Sequence, residues 1–123
     1  MKRKILSIFY SSIIIILVVC ETSCMPRKNI GEFVLINNSN DSITEAKIDI
    51  CKQVIKIKNM KQNEKFTGTF KIITDSHYKV VIVFASGKVL TEELGYVTHG
   101  FDLIKDTISV TDSRIVIIDT KTE

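Results

Sequence analysis

The sequence predicts an all-β domain: a small antiparallel β-sandwich, or a small barrel, of about seven or eight strands behind an N-terminal signal helix. After Phe33, short apolar runs alternate with polar turn clusters, and no run combines helical length with helical spacing. Within several runs apolar and polar residues alternate one by one, as in strands with one wet face. The turn clusters recur about every 8 to 12 residues, which is typical of sandwiches and barrels.

Residues 1–24 have the pattern of a signal peptide. A cationic start at residues 2–4 precedes a 16-residue apolar stretch, 5–20, the only helix we expect. A membrane-spanning helix needs about 20 apolar residues, whereas a secretory core needs about 7 to 15. Residues 13–19 form a dense apolar core of seven, followed by a polar segment. Export is therefore the better interpretation, and an uncleaved single-pass anchor is the alternative.

The end of this leader, LVVCETSC, resembles the lipobox of bacterial lipoproteins, in which a small residue precedes a cysteine that receives diacylglycerol and becomes the new N-terminus. Cys24 follows the small Ser23, whereas Cys20 follows the branched Val19. The resemblance implies lipidation at Cys24, with Cys20 as the alternative. It also implies a domain held by its fatty acyl chains to membrane lipid, at the cell membrane or outer membrane, that faces the periplasm or the exterior. Ordinary cleavage by signal peptidase, which would release a soluble protein, is a further alternative.

The third cysteine, Cys51, is expected to be a buried or half-buried thiol without chemistry. If cleavage falls before Cys20 without acylation, or if Cys20 is the acylated residue, Cys24 could instead pair with Cys51.

The body of the chain divides into a linker, residues 25–32, and a folded domain, residues 33–123. The predicted strands of that domain are FVLI, ITEAKIDI, VIKIK, FTGTFKI, YKVVIVFA, VLTEELGYV, TISV and RIVIID. In ITEAKIDI, Ala46, Ile48 and Ile50 alternate with charged residues and are predicted to face inward.

Three of these runs carry further information. Gly68 in FTGTFKI marks a bulge or a close approach of another chain segment. Residues 80–84 in YKVVIVFA are apolar on both faces, which predicts a central strand. TISV and RIVIID, separated by TDS, are predicted to form a closing hairpin.

One corner, IKNMKQNEKF, resembles the corner before a late-middle strand in immunoglobulin-like bacterial domains. Met60, Gln62, Asn63 and Glu64 occupy it, without the usual Pro-Gly. The resemblance implies an immunoglobulin-like β-sandwich.

The net charge gives no reason to expect a nucleic-acid partner. The whole chain carries +3, but residues 2–4 supply three positive charges, and from Met25 onward 14 basic residues face 13 acidic ones.

Charge is nevertheless unevenly distributed within the domain. Residues 52–71 contain six lysines against Glu64 alone, a net +5, and residues 91–112 carry a net −4. If the two segments lie on different faces, the basic one is suited to anionic lipid, an anionic envelope polymer or an acidic protein. Its candidate contact residues are Lys56, Lys58 and Lys61. Alternatively, Lys56 and Lys58 only keep an edge strand soluble and unpaired.

The sequence favours a non-enzyme. Ser76 and His77 are neighbours on a predicted strand and therefore face opposite sides, which argues against a catalytic pair. A group of Cys51, Asp75 and His77 has no local signature. Glu92 and Glu93 are also consecutive on a predicted strand, so their carboxylates face opposite sides, which argues against a glycosidase-like pair.

Nor does the sequence indicate a cofactor or a metal. The two histidines are 22 residues apart, a spacing that matches no metal-ligand pattern, and the five glycines form no phosphate loop.

The segment ELGYVTHGFD bundles Tyr96, His99 and Phe101 with two glycines. Burial of these rings in the core is the default expectation, and contact with a partner is the alternative. Together these features predict a lipid-anchored binding module of the cell envelope: an inhibitor, an immunity or exclusion factor, or an accessory subunit of an envelope complex. The rival hypotheses are a structural lipoprotein without a specific ligand, a single-pass membrane protein with a β domain, and a small hydrolase.

Overall fold

The computed structural model describes residues 29–100 and 102–123, which form eight β-strands in two packed four-stranded sheets. The strands are β1 (Ile30–Asn37), β2 (Ile43–Ile50), β3 (Gln53–Met60), β4 (Lys65–Lys71), β5 (Ser76–Phe84), β6 (Val89–Val97), β7 (Leu103–Val110) and β8 (Ile115–Thr122). The predicted all-β sandwich is confirmed.

Four sequence predictions fall outside the described residues: the signal helix over 5–20, the two candidate lipidation sites Cys20 and Cys24, and the contact residue Phe101. Among the residues that the structure describes, no helix has the length and apolarity required to cross a membrane.

The strand order is β4-β1-β7-β8 in the first sheet and β3-β2-β5-β6 in the second. Five of the six pairs are antiparallel, as predicted, but β1 and β7 pair in parallel, with Ile30 opposite Leu103 and Asn37 opposite Val110. β1 begins at Ile30, three residues before the predicted start of the domain, because both β4 and β7 pair with it there.

The core lies between the sheets and is built by alternation along the strands. In β1 every second residue is buried, and in β2 the predicted inward residues Ala46, Ile48 and Ile50 are at most 1% exposed. β5 lies between β2 and β6, as expected for the run that is apolar on both faces, and β7 and β8 form the predicted hairpin.

Two glycines allow close packing of aromatic rings between β1 and β4. Gly31 lies opposite Phe70 and Gly68 lies opposite Phe33 in the same pair of strands. A Cβ atom built on Gly31 would lie 2.0 Å from Phe70 Cζ, and one on Gly68 would lie 2.4 Å from Phe33 Cζ. Each ring therefore covers the opposite glycine, so Gly68 marks a close approach rather than a bulge.

A buried polar chain joins the two sheets. Tyr78 on β5 is fully buried and donates its hydroxyl proton to Asp106 Oδ2 on β7 at 2.6 Å. Thr120 on β8 donates to Asp106 Oδ1 at 2.7 Å, so the carboxylate, which is 3% exposed, is paired on both oxygens. Burial, and next the hydrogen bond to Asp106, raise the pKa of Tyr78.

The sandwich has two ends, which differ in how the chain approaches them. The proximal end is where the chain leading from the N-terminus reaches β1. It comprises Asn29, the β2–β3 turn at 51–52, the loop over 72–75, residues 98–100 and 102, and the adjoining strand-end residues Lys71, Tyr96 and Glu123. The distal end comprises the turns over 38–42, 61–64, 85–88 and 111–114.

The distal end is closed by hydrogen bonds around a buried asparagine. Asn37 Nδ2 donates to the carbonyl oxygens of Asp41, Met60 and Lys61 at 2.9, 3.3 and 3.2 Å. Its Oδ1 accepts from both the backbone nitrogen and the hydroxyl of Ser39. One side chain thus ties the 38–42 turn to the corner that carries the chain from β3 to β4.

Two carboxylates extend this closure to the other distal turns. Asp112 accepts two hydrogen bonds from Asn40, through its backbone and side-chain nitrogens, each at 2.8 Å. Asp41 accepts from the backbone nitrogen of Ser86 at 3.1 Å, and this hydrogen bond lowers the pKa of Asp41.

At the proximal end, Cys51 occupies a tight hairpin turn. Cys51 and Lys52 both have positive φ angles, 48° and 60°, as a two-residue type I′ turn requires. The thiol is buried, as predicted, and Sγ lies 3.4 Å from the carbonyl oxygen of Thr74.

Candidate binding surfaces

The basic segment forms one lateral edge of the sandwich. β3 and β4 are the edge strands of the two sheets on the same side, and the Gln53 side chain joins them by donating to the Lys71 carbonyl at 2.8 Å and accepting from the Lys71 nitrogen at 3.0 Å. We call this surface the basic edge. Its six exposed lysines are Lys52, Lys56, Lys58, Lys61, Lys65 and Lys71. Of the three predicted contact lysines, Lys56 and Lys58 lie on β3, and Lys61 lies in the turn that follows it.

The charges of the basic edge are not neutralised by ion pairs. Lys56 lies directly opposite Lys47 on β2, so two like charges are neighbours there, whereas Lys58 lies opposite Glu45. Among the described residues the single ion pair joins Lys105 Nζ on β7 to Glu32 Oε1 on β1 at 3.7 Å, and it involves no lysine of the basic edge. The positive potential of the edge is thus free to act on a partner.

The opposite lateral edge, formed by β6 and β8, is acidic. The two strands carry Glu92, Glu93 and Asp119 against Lys121, a net charge of −2. The charge separation that the sequence indicates is therefore present, but the acidic edge is formed only in part by residues of the acidic segment 91–112.

The other carboxylates of the predicted acidic segment lie elsewhere. Asp106 is buried and Asp112 belongs to the distal turns.

Around Asp75 the proximal end gathers a second group of predicted residues. The backbone nitrogen of His99 donates to Asp75 Oδ1 at 2.6 Å, and the Tyr96 hydroxyl donates to Oδ2 at 3.3 Å. The His77 ring lies beside the Tyr96 ring, with centroids 5.4 Å apart, and His77 Nδ1 lies 3.2 Å from the carbonyl oxygen of Gly95. Tyr96 and His99 thus belong to one exposed cluster.

The default expectation that Tyr96 enters the core is wrong, because the strand pairing shifts. Tyr78 pairs with Leu94, but Ser76 pairs with Val97, so β6 holds an extra residue between them. Gly95, with φ +69°, allows this bulge. Val97 consequently faces inward, and Tyr96 turns outward with 60% of its surface exposed.

Sequence reasoning missed Ile73, which lies in the 72–75 loop and is 55% exposed. The signal was the run KIITD, where two isoleucines follow a strand and only the first, Ile72, is buried. Ile73 and Tyr96 give the proximal end two large exposed apolar side chains.

The residues considered for catalysis have other partners. Ser76 Oγ accepts from the backbone nitrogen of Cys51 at 3.0 Å, while the His77 ring faces Tyr96. The Cys51 thiol lies against Thr74, and Asp75 bonds to Tyr96 and His99. The described residues contain no group of three or more His, Cys, Asp or Glu side chains arranged to hold a metal.

No family model matches the chain, and no curated protein matches it. Among solved structures, the chain is similar to the NMR structure of a protein from Eubacterium rectale, with 11% identity and a TM-score of 0.52. The match covers 77% of this chain and 92% of the other. This similarity shows a shared fold.

Two longer proteins contain a region of looser similarity. Listeriolysin O matches with 10% identity and a TM-score of 0.39 over 78% of this chain and 23% of its own. A non-hemolytic pneumolysin from Streptococcus pneumoniae matches with 12% identity and a TM-score of 0.38 over 78% and 24%.

Proposed function

We propose that this protein is an exported lipoprotein of the bacterial cell envelope, anchored through an acylated Cys24, or Cys20 in the alternative, and acting without catalysis as a binding module. Its domain faces the periplasm or the exterior. There it engages an acidic surface of another envelope protein, as an inhibitor, an immunity or exclusion factor, or an accessory subunit.

The basic edge is the observation that carries this proposal. Four exposed lysines lie on two adjoining edge strands, two more lie in the turns that flank β3, and the opposite edge is acidic. Strands of eight residues extend about 26 Å, so the lysines cover a long, rigid surface rather than a point. Complementary charge across such a surface guides a partner into one orientation and speeds its association. Lys52 and Lys61 lie in the turns at the two ends of β3, so the lysines extend over the length of that strand.

A charge-reversal experiment tests the partner. Full-length protein is recovered from membranes of its source with its partners crosslinked, as wild type and as the triple variant Lys56→Glu, Lys58→Glu, Lys61→Glu. We expect one stoichiometric protein partner whose recovery falls at least about tenfold in the variant.

The matched control is Lys79→Glu, Arg114→Glu, Lys121→Glu, which changes the net charge equally away from the basic edge and should keep the partner. Glutamate, like lysine, is a charged residue that keeps an edge strand from pairing with another chain. If the lysines only prevented such pairing, the triple glutamate variant would still do so. Retention of an anionic polymer in place of a protein would make the partner class wrong. Absence of any partner would favour a structural lipoprotein.

Intact-mass analysis of the mature protein tests the anchor. We expect a chain that begins at Cys24 and carries diacylglycerol and a fatty acyl group, and Cys24→Ala should abolish this modification. A mature chain that begins at Cys20 would assign the alternative site, and the full-length mass would mean an uncleaved anchor.

A further inference from the structure

We propose that the proximal end of the sandwich lies against the surface of the bilayer that holds the anchor, with the side chains of Ile73 and Tyr96 in contact with lipid. This inference rests on the lipid anchor of the proposed function and adds the orientation of the domain.

The first argument is the length of the tether. Asn29 is the fifth residue after Cys24, and five residues span at most about 18 Å in any conformation. β1 begins at the next residue and runs about 26 Å from the proximal to the distal end. An anchored domain therefore keeps its proximal end near the membrane, and the distal end is excluded from facing it.

Acylation at Cys20 would lengthen the tether to nine residues, about 32 Å. The proximal end would still be the attached one, but a tether longer than β1 would not exclude the distal end, so the length argument applies to acylation at Cys24.

The second argument is the exposed apolar surface at this end. Ile73 is 55% and Tyr96 is 60% exposed, and both belong to segments that meet at Asp75. A tyrosine with an apolar ring and a bonded hydroxyl suits the interface between lipid head groups and acyl chains. The distal end presents mainly polar turns whose side chains are engaged with each other, and its large exposed apolar side chain is Val89, 53% exposed, where β6 begins.

Charge distinguishes this orientation from its main rival. The proximal end carries Lys52 and Lys71 against Asp75, Asp102 and Glu123, so its contact does not depend on anionic lipid. The rival orientation lays the basic edge flat on the membrane, and it requires anionic lipid and is lost in high salt.

Depth-dependent fluorescence quenching tests the orientation. Acylated protein with Ile73→Cys or Tyr96→Cys is labelled with an environment-sensitive dye and reconstituted into phosphatidylcholine vesicles that contain lipids with a quenching group near the head. Controls are Ser86→Cys at the distal end, Lys58→Cys on the basic edge, and protein without an introduced cysteine, in which the buried Cys51 should remain unlabelled.

We expect loss of fluorescence at positions 73 and 96 in pure phosphatidylcholine and in high salt, and none at positions 58 and 86. Quenching at position 58 that needs phosphatidylglycerol would overturn the proposal in favour of the rival orientation. Absence of quenching at all four positions would also overturn it.

The same samples separate this proposal from the proposed anchor. Acylation is read from the mass of the reconstituted protein and from its flotation with the vesicles, which Cys24→Ala should abolish. A protein that is acylated and floats but shows no quenching at position 73 refutes the orientation alone. A protein that is not acylated refutes the anchor.

Discussion

The two ends of the sandwich join strands of the two sheets in opposite ways. At the distal end, short polar side chains take up the free backbone groups of the turns, with Asn37 fully buried at the centre. At the proximal end, the loops are joined through the exposed Asp75, and Ile73 and Tyr96 remain uncovered. The difference separates an end that stabilises the fold from an end that is available for contact.

The largest expected effect comes from breaking the distal closure. Asn37→Ala should lower the free energy of unfolding by about 3 kcal/mol, because three carbonyl oxygens and the Ser39 donors lose their buried partner. Urea unfolding followed by circular dichroism measures the loss. Asn40→Ala, which removes one exposed hydrogen bond to Asp112, should cost only about 0.5 kcal/mol, and an equal loss in the two variants would contradict the central role of Asn37.

A second substitution tests the interior between the ends. Tyr78→Phe should cost about 2 kcal/mol, because the buried Asp106 carboxylate loses one of its two donors. Tyr96→Phe is the matched control and should change stability by less than about 0.5 kcal/mol, since its hydroxyl is exposed. Equal losses from the two substitutions would show that the bond between the sheets does not stabilise the fold.

The raised pKa of Tyr78 adds a pH dependence with a definite sign. Folding favours the neutral phenol, so its contribution is fully present below the ordinary tyrosine pKa of 10.0 and is lost as the pH rises above it. Wild type should therefore lose stability more steeply than Tyr78→Phe above pH 10, as measured by urea unfolding at a series of pH values.

The sequence predicts the strands and turns because these depend on local patterns of residues. It does not predict strand pairs that are distant in the chain or irregular in register. Alternation in ITEAKIDI correctly placed its inward residues, but nothing near β1 encodes a parallel partner 73 residues away, as between Ile30 and Leu103. The alternation along β7 puts Asp106 in the inward register between Ile104 and Ile108, so the sequence does contain a signal for the burial of this carboxylate. At Tyr96, a single bulge at Gly95 changes the side of the strand on which the side chain lies. The alternation of apolar and polar residues does not predict such a bulge.

A smaller effect is expected from Asp41, which links two distal turns. The backbone N–H of Ser86 lowers the pKa of Asp41, so its contribution is present above the ordinary pKa of 3.8 and is lost as the pH falls through the lower folded value. Asp41→Asn should therefore flatten the loss of stability below about pH 4. Thermal unfolding between pH 2 and pH 7 measures this, and superimposable curves for wild type and variant would exclude the effect.

The smallest expected change in stability lies at the proximal end. Ile73→Ser combined with Tyr96→Ser should alter the free energy of unfolding by less than about 0.5 kcal/mol, because both side chains are largely exposed in the folded domain. The same double variant, labelled at Thr98→Cys and reconstituted in phosphatidylcholine vesicles, should be quenched less than the protein that retains Ile73 and Tyr96. Unchanged stability with reduced quenching would mean that these side chains serve a contact outside the domain. A stability loss near that of Asn37→Ala would instead make the proximal end a second structural closure and remove the distinction between the two ends.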